Sequence, residues 1–158
     1  MHVKPIGIVH TIATDDTIRY EFENIETQIE IYSEYSDGLD GLDGFSHIFV
    51  LALLNKLRPD QIGVLKVKPR HLLRKGFKIN ELPTRGVFAL SSPSRPNPLG
   101  LSLVELLKID GRWLRVKGLD YFDGTPILDI KPFKGNYKID RFSVPDWYAK
   151  IRETAGEF

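Results

Sequence analysis

The chain has 158 residues, 42% of them apolar and 27% charged, with a formal net charge of +1. That is the size and make-up of one globular domain with a hydrophobic core. It has no Cys, which excludes disulfides, thiol catalysis and Cys-ligated metals. No apolar run approaches the ~20 residues of a membrane span, and the opening "MHVKPIGIVH" lacks the basic-then-apolar pattern of a secretion signal. These features place the expected compartment in the cytoplasm.

The near-neutral total hides an uneven spread. From Asp15 to Asp43 the only basic residue is Arg19, whereas from Lys56 to Arg85 only Asp60 and Glu81 are acidic. The second stretch, with Lys66, Lys68, Arg70, Arg74, Lys75, Lys78 and Arg85, is either a solvated face or a surface for a polyanion.

In chain order, "VKPIGIVHTI" predicts a first strand. "ETQIEIY" alternates, with Thr27, Ile29 and Ile31 on one side, and predicts a half-buried strand. "SDGLDGLDG" predicts a turn or a short helical turn. Its Asp37, Asp40 and Asp43 lie three apart, and the twelfth position from Asp37 is Ile48, so the oxygen pattern of a calcium loop is missing. "FSHIFVLALLNKL" is nearly all apolar and predicts a strand buried on both faces or a buried helix, with its Ile, Phe and Val favouring strand. "GVLKVKPR" predicts a strand, "HLLRKGFKINELPTRG" a basic loop and "GVFAL" a short strand.

The Pro-rich stretch "SSPSRPNPLGLS" follows, Ser91 to Ser102. Pro93, Pro96 and Pro98 fix their own φ and restrict the residue before each, so Arg95 and Asn97 are held in set directions at little entropic cost. "LSLVELLKI" and "RWLRVKGLDY" around Asp110–Gly111 predict a hairpin. "ILDIKPF" is a last strand and "VPDWYAKIRET" a terminal helix. Many short strands with few helices predict a mainly β domain, a barrel or sandwich with short helices. Residues 1–140 would form it, with a helical tail at 141–158 packed on the same domain.

His2, His10, His47 and His71 share no metal-ligand spacing, and no metal site is expected; His47 reads as a hydrogen-bonded core residue. The chain has no G-x-G-x-x-G, G-x-x-x-x-G-K-[ST] or G-x-S-x-G. The remaining candidate site is a pair of preorganised polar turns framed by apolar strands: the Pro-rich stretch and "DGTP", with Asp120, Asp123 and Thr125 close by.

"DGLDGFSHIFVL", "GVFALSSPSRPNPLGLSLVELL" and "GLDYFDGTPILDIKPF" closely resemble the TsaA-like family of S-adenosylmethionine-dependent tRNA methyltransferases. The resemblance runs from about "KPIGIV" to "DIKPF". It implies a β-barrel homodimer that methylates the exocyclic amine of a threonylcarbamoyl-modified adenosine beside the anticodon, with its cofactor pocket near the subunit interface. It implies cofactor contacts at Leu54, Asn55, Ser91, Arg95, Leu101, Gly118, Leu119 and Asp120, and tRNA phosphates along the basic stretch from Lys66 to Arg85. Asn97, Asp123 and Asp129 are candidates to accept the amine proton. The chain departs from the family pattern at three places. Ser91 stands where Arg is usual, Leu54–Asn55 where His and a polar residue are usual, and "TIATDDTIRYEF" carries no Pro-Arg-Gln loop. An alternative reading is therefore a non-catalytic paralogue that holds RNA or a small ligand on the same barrel.

Overall fold

The computed structural model describes residues 2–156; the expectations that reach Met1, Glu157 and Phe158 lie outside the described residues. Eight strands and two α-helices follow one another: β1 (Gly7–His10), α1 (Asp15–Glu21), β2 (Glu26–Ile31), β3 (His47–Leu53), β4 (Lys66–Val67), β5 (Arg85–Gly86), β6 (Leu99–Asp110), β7 (Trp113–Lys117), β8 (Pro126–Pro132) and α2 (Asp146–Ala155). Six of the strands close into an antiparallel barrel in the order β1-β2-β7-β6-β3-β8, and β4 pairs with β5 as a separate hairpin.

Period-2 alternation builds the core. Val9 from β1, Ile29 and Ile31 from β2, Ile48 and Val50 from β3, Val104 from β6, Leu114 and Val116 from β7 and Ile127 from β8 all point inward and are buried. The expected pairing of Thr27 with Ile29 and Ile31 holds: all three are buried. The Asp110–Gly111 hairpin forms, with Gly111 at φ +57°, where its lack of a Cβ makes the turn inexpensive.

Several expectations are corrected. The run containing β3 is a strand, but only Ile48, Val50 and Ala52 are buried; Phe49, Leu51 and Leu53 face outward and stay half-exposed. Its second apolar face is only partly covered in the protomer, where Phe133 and Tyr137 pack on Phe49 with ring centroids 5.9 and 5.2 Å away. "GVFAL" is not a strand: β5 ends at Gly86 and Val87–Ala89 form a single 3₁₀ turn. "GVLKVKPR" keeps only the two strand residues of β4, and the basic loop contains a 3₁₀ turn at Arg70–Lys75. The helix α1 has no counterpart in the sequence reading, although its signals are present. Thr14 caps it by accepting from the Thr17 N–H at 3.1 Å, and Asp15 and Asp16 occupy the first turn.

Candidate functional site

The two polar turns meet at one end of the barrel. Backbone bonds seat the Pro-rich loop on β3 and β6: Leu54 N–H donates to Pro98 O at 2.8 Å, and Leu99 N–H to Asn97 O at 2.8 Å. Arg95 reaches back, its Nη2 donating to Val87 O at 2.7 Å and Leu90 O at 3.2 Å. The second turn leaves β7 at Gly118, which sits at φ +85°. Asp123 Oδ1 accepts from Thr11 N–H at 3.0 Å, and Thr125 Oγ1 donates to Phe122 O at 2.7 Å.

Two contacts join the turns, and a third ties the second turn to β3. Ser102 Oγ donates to Asp120 Oδ1 at 2.5 Å. The Tyr121 ring lies against the Cα of Gly100, so closely that a Cβ there would sit 2.7 Å from the ring. Tyr121 Oη donates to Val50 O at 2.9 Å. Burial raises the Tyr121 phenol far above its ordinary range, a push that the nearby Asp120 charge adds to and the Ser102 contact only partly opposes. The phenol is therefore a fixed hydrogen-bond donor, not a base. β6 pairs with β7 only from Glu105 onward. Between Leu99 and Val104, then, no strand lies on that side, and the turn that carries Asp120 runs there instead.

Leu101 and Asp120 are exposed on this end, and Leu54 is tied to Pro98. Asn97 and Asn55 are also exposed, as is Ser91 at the start of the loop. Leu119 is fully buried in the core, so only its backbone can meet a ligand. Arg95 uses its guanidinium on the two carbonyls above and acts as a clamp. Asp129 lies across from Leu51 on the β3–β8 pair, on the other side of Leu51 from Leu101, and is 2.7 Å from Lys131 Nζ, whereas Asp123 bonds to the chain after β1.

The basic stretch divides in the same way. Lys68 Nζ donates to Ile79 O and Leu82 O at 2.9 and 2.7 Å, Arg74 Nη1 to Tyr20 O at 2.9 Å, and Arg85 lies over the Trp147 ring at 5.0 Å. These three hold the chain to itself. Lys66, Arg70, Lys75 and Lys78 are exposed. His47 is half-buried, with Nδ1 3.0 Å from Ser46 Oγ. Among the described residues no group of three His, Asp or Glu could hold a metal, and no helix is long and apolar enough to cross a membrane.

The sequence reading missed two features. Arg19 and Lys56, far apart in the chain, both lie over the Phe122 ring at 5.5 and 5.6 Å; no spacing signal connects them. The outer face of β6 is the other: Leu99, Leu101 and Leu103 are 47%, 68% and 47% exposed, and pair across to Leu53, Leu51 and Phe49. The alternation of "LGLSLVELL" carried that signal, with Leu on the solvent side. Clefts of about 220 and 280 Å³ lie elsewhere, one beside Gln28, Trp113 and Arg115, the other beside Phe45 and Leu106. None of the candidate residues lines either cleft, and Leu101 and Asp120 stand on open surface.

Residues 19–139 match the family model of the tRNA-methyltransferase O N-terminal domain. A probable S-adenosyl-L-methionine-binding protein of Methanothermobacter thermautotrophicus is 43% identical over 136 residues, which is 84% of this chain and 90% of that protein. The mouse tRNA (adenine(37)-N6)-methyltransferase is 38% identical over 112 residues, 70% of this chain but 24% of the mouse protein. Among solved structures, the chain is similar to that of TrmO, with a TM-score of 0.68 and 26% identity, covering 92% of this chain and 63% of that one.

Proposed function

Because the chain belongs to the tRNA-methyltransferase O N-terminal domain family, we propose that it is an S-adenosylmethionine-dependent methyltransferase. Its substrate would be the exocyclic amine of an adenosine, threonylcarbamoyl-modified, next to the tRNA anticodon. The observation that carries this reading is the junction of the two turns, where the Ser102 hydroxyl orients the exposed Asp120 carboxylate beside Leu101. That donor set fits the cofactor. Asp120 has acceptor capacity left for a ribose diol or an ammonium group, Leu101 offers apolar surface to a purine, and Gly118 lets backbone approach closely.

Bound S-adenosylmethionine supplies a methyl already activated on a sulfonium. The residues of this chain need only hold the amine in line with it and receive a proton as the new N–C bond forms. Asn97 and Asp123 stand on the two joined turns and are the acceptors we favour over Asp129, whose carboxylate is paired with Lys131. Leu54, Asn55 and Ser91 complete the pocket rim, and Lys66, Arg70, Lys75 and Lys78 meet tRNA phosphates, which supply affinity without base specificity.

We further propose a cytoplasmic homodimer in which the β6 leucines face a second copy. An open site beside an exposed apolar strip gains its missing wall that way. Residues 1–140 form the barrel domain, and the tail from 141 packs on it through Trp147 and Arg85.

Calorimetry with S-adenosylmethionine tests the reading. Wild-type protein should bind, and Asp120→Ala should weaken binding about 10- to 150-fold, the range for a hydrogen bond to a charged group. No heat at millimolar cofactor would end the methyltransferase reading. Cofactor binding without methyl transfer to tRNA would favour the paralogue reading, to which Ser91, in place of a cationic side chain, lends support.

A further inference from the structure

The 3₁₀ turn Val87–Ala89 carries its side chains in opposite directions. Val87 is 1% exposed and anchors the turn, while the next residue, Phe88, is 80% exposed. Leaving a Phe ring in water forgoes roughly 1.5–3 kcal/mol of burial, and this turn does not let it fold away. Arg95 closes on the carbonyls of Val87 and Leu90 at the turn's two ends, and Leu90 N–H donates to Val87 O at 3.3 Å. The prolines on both sides of Arg95 keep the clamp itself stiff.

The ring is open to solvent and stands on a stretch of chain without acidic residues. Gly86, two residues before it, and Ala89, the next residue, are small and exposed. Val87 N–H donates to Leu65 O at 3.0 Å, which sets the exposed Lys66 beside the turn. From Leu82 to Val104 the chain contains no Asp or Glu. A flat aromatic surface held outward next to a cation, on an acid-free stretch, has the two properties that single-stranded nucleic acid uses: a π-face for a base and positive charge for its backbone. We propose that Phe88 is a stacking platform for an unpaired nucleobase of the RNA substrate, and that Arg95 is the positioning residue that presents it. This rests on the reading of the chain as a tRNA methyltransferase.

The test compares wild type, Phe88→Ala, Phe88→Tyr and Phe88→Trp for tRNA affinity across a salt series, for cofactor affinity by calorimetry and for mass by light scattering. Base–aromatic stacking corresponds to about 5- to 150-fold in affinity. Phe88→Ala should lose RNA binding in that range, Tyr and Trp should restore it, and the slope of affinity against salt should stay unchanged because no phosphate partner is removed. Cofactor affinity and mass should also be unchanged. The platform is overturned if Phe88→Ala binds tRNA as wild type does, if it loses the cofactor instead, or if it changes the oligomeric state. Wild-type protein that retains no tRNA even at low salt would overturn the underlying tRNA reading itself, a distinct result.

Discussion

On the outer face of β1, β2 and β7, Glu30 receives His10 Nε2 at 2.7 Å and Arg112 Nη1 at 2.5 Å, and Arg115 Nε lies 3.8 Å from Glu26. On the outer face of β6 and β3, the equivalent positions hold Leu99, Leu101 and Leu103 against Leu53, Leu51 and Phe49. Both faces come from the same alternation around one core. The first meets its electrostatic needs within the protomer; the second leaves three leucines in water. The contrast is between a surface whose charges are paired within the protomer and one that leaves apolar side chains exposed, and the candidate site lies on the second.

Two glycines, one in each half, probe how rigid these walls are. A Cβ on Gly7 would lie 2.4 Å from the Glu30 carbonyl oxygen in the β1–β2 ladder, and backbone has little freedom to yield. Gly7→Ala should therefore have the largest effect, about 3 kcal/mol of stability, at the upper end for overpacking, read by denaturant midpoint; a loss under about 1 kcal/mol would show that the β1–β2 pair is softer than it looks. On the other side, exchanging Leu101 and Leu103 for Asp should convert a dimer to monomers with the melting temperature of the isolated barrel little changed, because both side chains already face water in the protomer. Light scattering decides it, and an unaltered mass would refute the contact role of that face. Gly100→Ala should cost about 1–3 kcal/mol. Its Cβ meets the Tyr121 ring, a side chain, yet one held by Val50 O and 2% exposed. If Gly100→Ala equals Gly7→Ala in cost, the ring is as immovable as backbone.

The barrel was readable from sequence because alternation reports on one face at a time: Thr27, Ile29 and Ile31 needed only the period of two. The β3 run misled on the same ground. Phe49, Leu51 and Leu53 are apolar enough to imply burial on both faces, and the local sequence has no means of saying that the outer side is covered only in part, by Phe133 and Tyr137 against Phe49. The two polar turns were legible through Pro and Gly, whose backbone limits are local. Their joint role as one site was expected, but the particular contact that joins them was not legible, since Ser102 and Asp120 are brought together by the barrel's closure. The roles of Lys68, Arg74 and Arg85 were hidden for the related reason that a cation reads the same whether it faces a phosphate or a carbonyl of its own chain.

The smallest effect belongs to the charge-paired face and is the cleanest check on the contrast. The hydrogen bond from His10, with the Arg112 charge behind it, holds the Glu30 carboxyl below its ordinary value of 4.5, against a desolvation push that acts the other way. A carboxyl whose folded pKa is depressed binds fewer protons folded than unfolded. Its stabilisation is therefore present above about pH 4.5 and lost as the pH falls through the lowered value. Glu30→Gln should destabilise slightly at neutral pH, and the difference from wild type should shrink on acidification below about pH 4.5. Oligomeric mass and cofactor binding should not move, since the pair lies on the opposite wall from Leu101. A Glu30→Gln penalty that persists unchanged into acid would mean that packing around Trp113, which lies 5.2 Å from His10, and not charge, completes that face.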